Sequence, residues 1–289
     1  PWTQWPLPLR TRNGKALAKK RKELHEEVDY YVFLQMIFFE QWKQLSKYAK
    51  EQGVSIIGDI PIYVAMDSAD TWANPDLFQL DAQCRPTAVA GCPPDAFTAD
   101  GQLWGNPLYR WDVMARDGYR WWLDRIRASL ELFDAVRIDH FRGFESYYAI
   151  PYGEVTARNG KWVKGPGKGL IAAIKQSFPN VQIIAEDLGF LTQEVKELLS
   201  YSGFPGMKII QFAFDSREKS DYIPFKYSRN CVVYTGTHDN ETTLGWIESV
   251  SAESLQYAKS YLMCEDADKD RCVDLLITLA LSSAADWAV

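Results

Sequence analysis

The 289-residue chain is poor in the residues that build metal centres and disulfide frameworks. It has three histidines (His25, His140, His238) and five cysteines (Cys84, Cys92, Cys231, Cys264, Cys272). No C-x-x-C pair and no zinc-ligand spacing occurs. An odd cysteine count without paired spacings fits a reducing compartment, so the sequence predicts a cytoplasmic protein whose thiols are inert packing groups. A basic excess is also missing: 32 Lys and Arg stand against 38 Asp and Glu, a net charge of −6. That balance argues against nucleic acid or an anionic membrane as a partner. The longest apolar run, from Leu275 to Leu281, is far shorter than the roughly 20 residues a bilayer span needs. No signal peptide opens the chain. No G-x-G-x-x-G follows an apolar run, which removes support for a dinucleotide-binding sheet.

Aromatic residues, by contrast, are abundant: 11 Trp, 15 Tyr and 14 Phe make up 14% of the chain. Flat rings with one polar edge suit stacking on sugar faces, although large cores use them too. The chain opens at Pro1 rather than methionine and closes at Val289 on an apolar segment. Neither end has the polar tail that termini usually carry, so a fragment of a longer chain is expected.

The apolar spacing predicts helix over about residues 15–52, ended by Gly53, and further helices at 117–132, 168–177, 192–201 and through much of 252–286. Between them lie nearly continuous apolar runs at 54–59, 133–139, 181–186, 207–214 and 231–239, with another beginning near Ala288. Such runs alternating with helices predict a parallel sheet covered on both faces, an α/β fold. Residues 61–112 carry Pro, Gly, Asp and aromatics without a clear period and are expected to form one long functional loop. A Gly-rich loop is expected around residues 160–169. Five strands and the start of a sixth fit a closed eight-stranded barrel from which two strands are missing before Pro1.

Four of these runs end in an acid: Asp59, Asp139, Glu186 and Asp239. In parallel α/β folds the carboxyl ends of the strands converge on the face that hosts the site. The plain alternative is that a strand-terminal Asp only caps the helix that follows. Arg137 precedes Asp139 by two, so strand alternation puts both side chains on one face, where the cation can hold the carboxylate ionised. A buried structural ion pair is the alternative there. His140, one step off Asp139, is expected to pack away from the pocket. Paired carboxylates serve retaining glycosyl transfer when they lie roughly 5–5.5 Å apart. The same acids on successive strands also suit a divalent metal, but that chemistry wants a strand-end Lys or His base, and Lys208 lies at the amino-terminal end of its run.

Five segments then resolve into a pattern. Gly58-Asp59-Ile60-Pro61-Ile62-Tyr63-Val64, Gly101-Gln102-Leu103-Trp104-Gly105-Asn106-Pro107, Val136-Arg137-Ile138-Asp139-His140-Phe141-Arg142-Gly143, Ala185-Glu186-Asp187-Leu188-Gly189 and Thr235-Gly236-Thr237-His238-Asp239-Asn240 resemble the 4-alpha-glucanotransferases, or amylomaltases, of the α-amylase clan. The likeness runs through essentially the whole chain. It implies a (β/α)8 TIM-type barrel, here incomplete (about strands 3 to 7 plus the start of 8), with 61–112 as an active-site insertion in a single catalytic domain of residues 1–289. By position it implies Asp139 as nucleophile, Glu186 as general acid/base and Asp239 as the third acid. Asp59, Gln102, Trp104, Arg137 and His238 then line the adjoining sugar subsites. The stretch from Gly91 to Gly105 matches a loop over the cleft, with Ala96 standing where some relatives have an aromatic. The expected partners are an α-1,4-glucan donor and a sugar acceptor, with no cofactor and no metal. A hydrolase of the same clan, a metal-dependent barrel enzyme and a non-catalytic glucan-binding fragment are the competing readings.

Overall fold

The computed structural model describes residues 1–95, 98–189, 191–217 and 220–289. In chain order the helices are α1 (Leu7–Arg10), α2 (Gly14–Glu23), α3 (His25–Glu51), α4 (Ala69–Ala73), α5 (Trp111–Arg116), α6 (Arg120–Leu132), α7 (Lys168–Ser177), α8 (Gln193–Ser202), α9 (Thr243–Ser249), α10 (Ala252–Tyr261) and α11 (Lys269–Leu281). The strands are β1 (Ile57–Ile60), β2 (Ala88–Cys92), β3 (Gln102–Pro107), β4 (Ala135–Ile138), β5 (Ser146–Pro151), β6 (Lys161–Lys164), β7 (Ile183–Ala185), β8 (Gly206–Ile209), β9 (Cys231–Tyr234) and β10 (Trp287–Ala288). The chain forms two compact units, Pro1–Ile183 with Gln193–Ser202, and Ile184–Thr192 with Gly203–Val289.

In the first unit β1 and β4 pair in parallel, with Gly58 opposite Val136 and Asp59 opposite Arg137. The Val136 amide donates to Gln182 O on the other side of β4. Gly58 is required here, because a Cβ would lie 2.0 Å from the Phe133 ring. Helix α6 covers these strands with Trp122 and Ile126, both fully buried. The buried rings of Phe78, Tyr109, Trp122 and Phe144 extend that core through edge and tilted contacts.

The expected break after α3 is present: Gly53 sits at φ +73°, a conformation glycine adopts without steric cost. Leu24 divides the expected long helix into α2 and α3. Helix α3 docks through Trp42, whose Nε1 donates to Leu132 O and whose ring meets Phe133 edge-on. None of its 27 residues is buried, and Tyr31, Phe33, Phe38, Phe39 and Tyr48 are all exposed.

The segment 61–112 is not one loop. It contains α4, β2, β3 and the start of α5, and the two strands join β5 and β6 in an antiparallel sheet of order β3-β2-β5-β6. The expected Gly-rich loop likewise contains β6. Strand β2 is short and rich in small residues, and its partner β5 follows only after α6 and β4, so no local signal marks the pairing. The β2–β3 register shifts between Val89 and Gly91.

In the second unit β7, β8, β9 and β10 pair in parallel through Ala185–Gly206, Met207–Val232 and Trp287–Val232. The strand expected near Ala288 is therefore present. The expected strand at 207–214 ends at Ile209, and Ile210–Phe214 forms a 3-10 turn. A continuous apolar run does not distinguish a buried strand from a buried turn of helix. Ile210, Phe214, Val233, Ile247 and Leu276 share one core under α9, α10 and α11. Thr242, Ser251 and Asp268 cap these three helices with side-chain oxygens that accept from their first turns. Among the described residues, no helix is long and apolar enough to cross a membrane.

Candidate active site

Asp59 and Arg137 occupy paired positions of β1 and β4. Arg137 donates to Asp59 through Nε at 2.8 Å and Nη2 at 3.0 Å, and Nη2 also lies 3.3 Å from Asp139 Oδ1. The guanidinium is 10% exposed beneath carboxylates that are 45% and 40% exposed. A planar fork matches a carboxylate edge and stays charged at any working pH. The cation between the two acids is thus Arg137 itself, and the carboxylates meet solvent in a fixed orientation.

Asp139 follows β4 directly, and its amide continues the ladder by donating to Ile60 O at 3.0 Å. The chain then turns sharply at His140, which has φ +50°. Burial, aided by the charge of Arg142, lowers the His140 pKa to about 4, so the imidazole is neutral at pH 7. Its ring meets Trp104 edge-on, with centroids 4.8 Å apart. This agrees with a packing role, but the packing partner is a predicted sugar-contact residue.

Gln102 and Trp104, two apart on β3, share a face. Trp104 Nε1 donates to Gln102 Oε1 at 2.9 Å, fixing both orientations. Tyr63 lies tilted against the same indole, at 6.3 Å between centroids. Asp59, Arg137, Asp139, His140, Trp104 and Gln102 therefore form one linked group within the first unit. Sequence reading missed Tyr63 and the ring contact of His140. The run Pro61-Ile62-Tyr63 after Asp59 was a signal for the former. Ala96 lies outside the described residues.

In the second unit Glu186 follows β7, and its Oε1 accepts from the Leu188 amide at 2.8 Å. Its neighbour Asp187 points elsewhere: it is buried, accepts from the Met207 amide at 2.6 Å, and is raised in pKa by desolvation. A Cβ at Gly206 would lie 2.6 Å from Asp187 Oδ2. Asp187 thus ties β7 to β8 and anchors the chain beside Glu186, a role sequence reading did not assign.

Asp239 does not end a strand. Strand β9 stops at Tyr234, and Asp239 lies exposed on the following loop. The Thr237 amide and hydroxyl both bond Asn240 Oδ1 at 2.9 Å, giving the backbone a turn in place of a ladder. His238 Nε2 stands 3.5 Å from Asp239 Oδ2, and both side chains are exposed. Buried Gln211 supports this loop by donating to Glu241 O at 3.0 Å. Gly236 is packed against it so closely that a Cβ would lie 2.7 Å from its Nε2. Asp59 is also not terminal, because Ile60 follows it inside β1.

A family model described as 4-alpha-glucanotransferase matches residues 1–289. The chain is 51% identical over 262 residues to a 4-alpha-glucanotransferase of Clostridium butyricum, covering 90% of this chain and 54% of that protein. It is 45% identical over 288 residues to one of Aquifex aeolicus, covering 100% of this chain and 59% of the relative. A solved amylomaltase from Streptococcus agalactiae, in complex with acarbose, superposes with a TM-score of 0.95 at 39% identity, covering 99% of this chain and 58% of that one. The chain spans about half the length of the curated relatives it matches.

Proposed function

This chain belongs to the 4-alpha-glucanotransferase family, and on that basis we propose that the protein transfers α-1,4-glucan segments with retention of anomeric configuration. Asp139 attacks the anomeric carbon of the donor and forms a covalent glycosyl-enzyme, which divides one difficult step into two easier ones. Glu186 gives a proton to the departing glycosidic oxygen, then takes one from the 4-hydroxyl of an incoming sugar. That hydroxyl attacks the glycosyl-enzyme, re-forms an α-1,4 bond and frees Asp139. Asp239 binds donor hydroxyls more tightly in the oxocarbenium-like transition state than in the ground state. Asp59, Gln102, Trp104, Arg137 and His238 hold the sugars on either side.

The observation that carries this reading is Arg137 bridging Asp59 and Asp139. A nucleophilic carboxylate has to be ionised and aimed, and a buried guanidinium beside it supplies both. The Gln102–Trp104 pair beside this group supports a sugar ligand, since a fixed indole and an amide suit a pyranose face and its hydroxyls. The acarbose complex of the Streptococcus agalactiae amylomaltase supports the same ligand class.

The parallel strands alternating with helices support placement in a (β/α)8 barrel, as about strands 3 to 7 and the start of 8. The odd cysteine count without paired spacings supports a cytoplasmic setting. The partners are an α-1,4-glucan donor and a sugar acceptor. Incubation with maltotriose tests the function: glucose together with maltopentaose and longer products is expected, and the Asp139→Asn chain should form neither. Glucose and maltose alone would mean hydrolysis and overturn the transfer reading.

A further inference from the structure

An open cleft of about 480 Å³ lies on the first unit, and none of its lining residues is one assigned above to the reaction. We propose that it is a second carbohydrate site that holds a neutral stretch of oligosaccharide apart from the reacting bond; on the transferase reading, that ligand is an α-1,4-glucan chain. Its size falls within the range of roughly 300–1,000 Å³ usual for ligand sites.

Trp111 supplies a fixed aromatic wall. Its ring stacks on buried Trp122 at 6.2 Å and 25°, and leans on buried Tyr109 at 4.9 Å. A ring held this way stacks on a sugar with little loss of rotamer freedom. The polar groups are prearranged as well. Gln79 Nε2 donates to Tyr109 O at 2.9 Å and to the Tyr147 hydroxyl at 3.1 Å. Its Oε1 accepts no hydrogen bond among the described residues. Tyr147 is 5% exposed, and its own hydroxyl proton goes to no described residue. A buried donor and an amide acceptor are thus left to a ligand in one cleft.

The charges select the ligand class. Asp112 lies between Arg110 at 3.9 Å and Arg116 at 3.5 Å, and Lys164 is paired with Glu145. Arg116 lies outside the lining. The charges that do line the cleft, Arg110 beside Asp112 and Lys164 with its partner Glu145, sum to zero, so the cleft is not lined by charge of one sign to hold a phosphate or a metal cation. It offers paired donors and acceptors beside an aromatic face, which is what vicinal hydroxyls on a pyranose require.

The test is affinity electrophoresis of the 289-residue chain through amylopectin gels, in the Asp139→Asn background so that the matrix is not consumed. Trp111→Ala should lower retention at least about threefold through loss of the stacking face. Tyr147→Phe, which removes one oxygen atom and keeps the ring, should lower it about two- to tenfold, the value of one hydrogen bond. The exposed pair Arg110→Ala/Asp112→Ala should weaken it too, and covers the outcome in which Trp111→Ala does not fold. With Asp139 intact, Tyr147→Phe should leave maltotriose turnover within about twofold of the parent. Unchanged retention in folded Tyr147→Phe and in the double variant would overturn the site. Absence of maltotriose turnover in the parent, with retention still falling in these variants, would overturn the transferase reading and leave the site standing.

Discussion

Asp59 receives both prongs of the Arg137 guanidinium, Nε at 2.8 Å and Nη2 at 3.0 Å, across paired positions of neighbouring parallel strands. This fork fixes where the positive charge sits relative to Asp139. Arg137→Lys keeps the charge but replaces two directed donors with a point ammonium that cannot engage Asp59 and Asp139 in the same geometry. The expected result is a fall in kcat of about 10- to 100-fold, or about 1.4–2.7 kcal/mol, with an unchanged circular dichroism spectrum. Turnover within about twofold of the parent would show that the fork does not position the nucleophile.

Glu186→Gln removes the proton source and the later base but keeps the side chain's shape. Its loss should be severe on maltooligosaccharide donors, whose leaving oxygen requires protonation. It should be far milder for the first step on a glycosyl fluoride, because fluoride departs without a proton. Burst kinetics on the two donors make the comparison. An equal loss on both would remove Glu186 from the acid role.

The sequence disclosed what local pattern encodes. Helix α7 occupies 168–177 as its apolar spacing predicts, and Arg137 and Asp139 share a face because strand alternation requires it. Asp139 and Glu186 follow their strands directly, as the apolar runs indicate. What escaped depends on contacts between distant segments. The β3-β2-β5-β6 sheet is closed by the pairing of β2 with β5, which are separated in the chain by β3, α5, α6 and β4, so no periodicity announces it. Asp239 was read onto a strand because the apolar run continues into Thr235-Gly236-Thr237, whereas the Thr237–Asn240 turn draws the chain off the ladder. The two neighbours Glu186 and Asp187 are chemically alike in sequence. Only packing separates them, leaving the first partly open and burying the second against β8.

Helix α3 carries apolar side chains around its whole circumference and buries none of them. A helix apolar on all sides normally lies inside a protein, and contiguous exposed patches beyond a few hundred Å² drive association. The isolated chain should therefore bind a hydrophobic dye such as ANS in its native state and sediment with a concentration-dependent mass. Replacing Tyr31, Phe33 and Phe39 with Ser should lower the dye signal at least about twofold and cost under about 1 kcal/mol of stability, because exposed positions contribute little to packing. Unchanged dye binding would show that this helix is not the apolar surface that the chain presents.

His140 gives the fold a pH dependence whose sign follows from proton counting. Burial, with Arg142 nearby, holds its folded pKa at about 4, below the ordinary value of 6.5. Between those values the unfolded chain binds a proton at this site that the native chain does not. Unfolding free energy therefore falls as pH drops through this window, and the contribution is fully present only above about pH 6.5. The loss saturates below pH 4 and is about 3.5 kcal/mol, since each pKa unit corresponds to about 1.4 kcal/mol. His140→Phe removes the proton site and keeps a ring against Trp104. Urea denaturation of both chains between pH 7 and pH 4.5 isolates the contribution, because the exposed carboxylates common to both cancel in the difference. The parent should lose stability more steeply than the variant as pH falls, by about 2.4 kcal/mol across that interval. Parallel curves would mean that His140 titrates alike in the folded and unfolded chains, and that the ring beside Trp104 is open to protonation rather than held neutral.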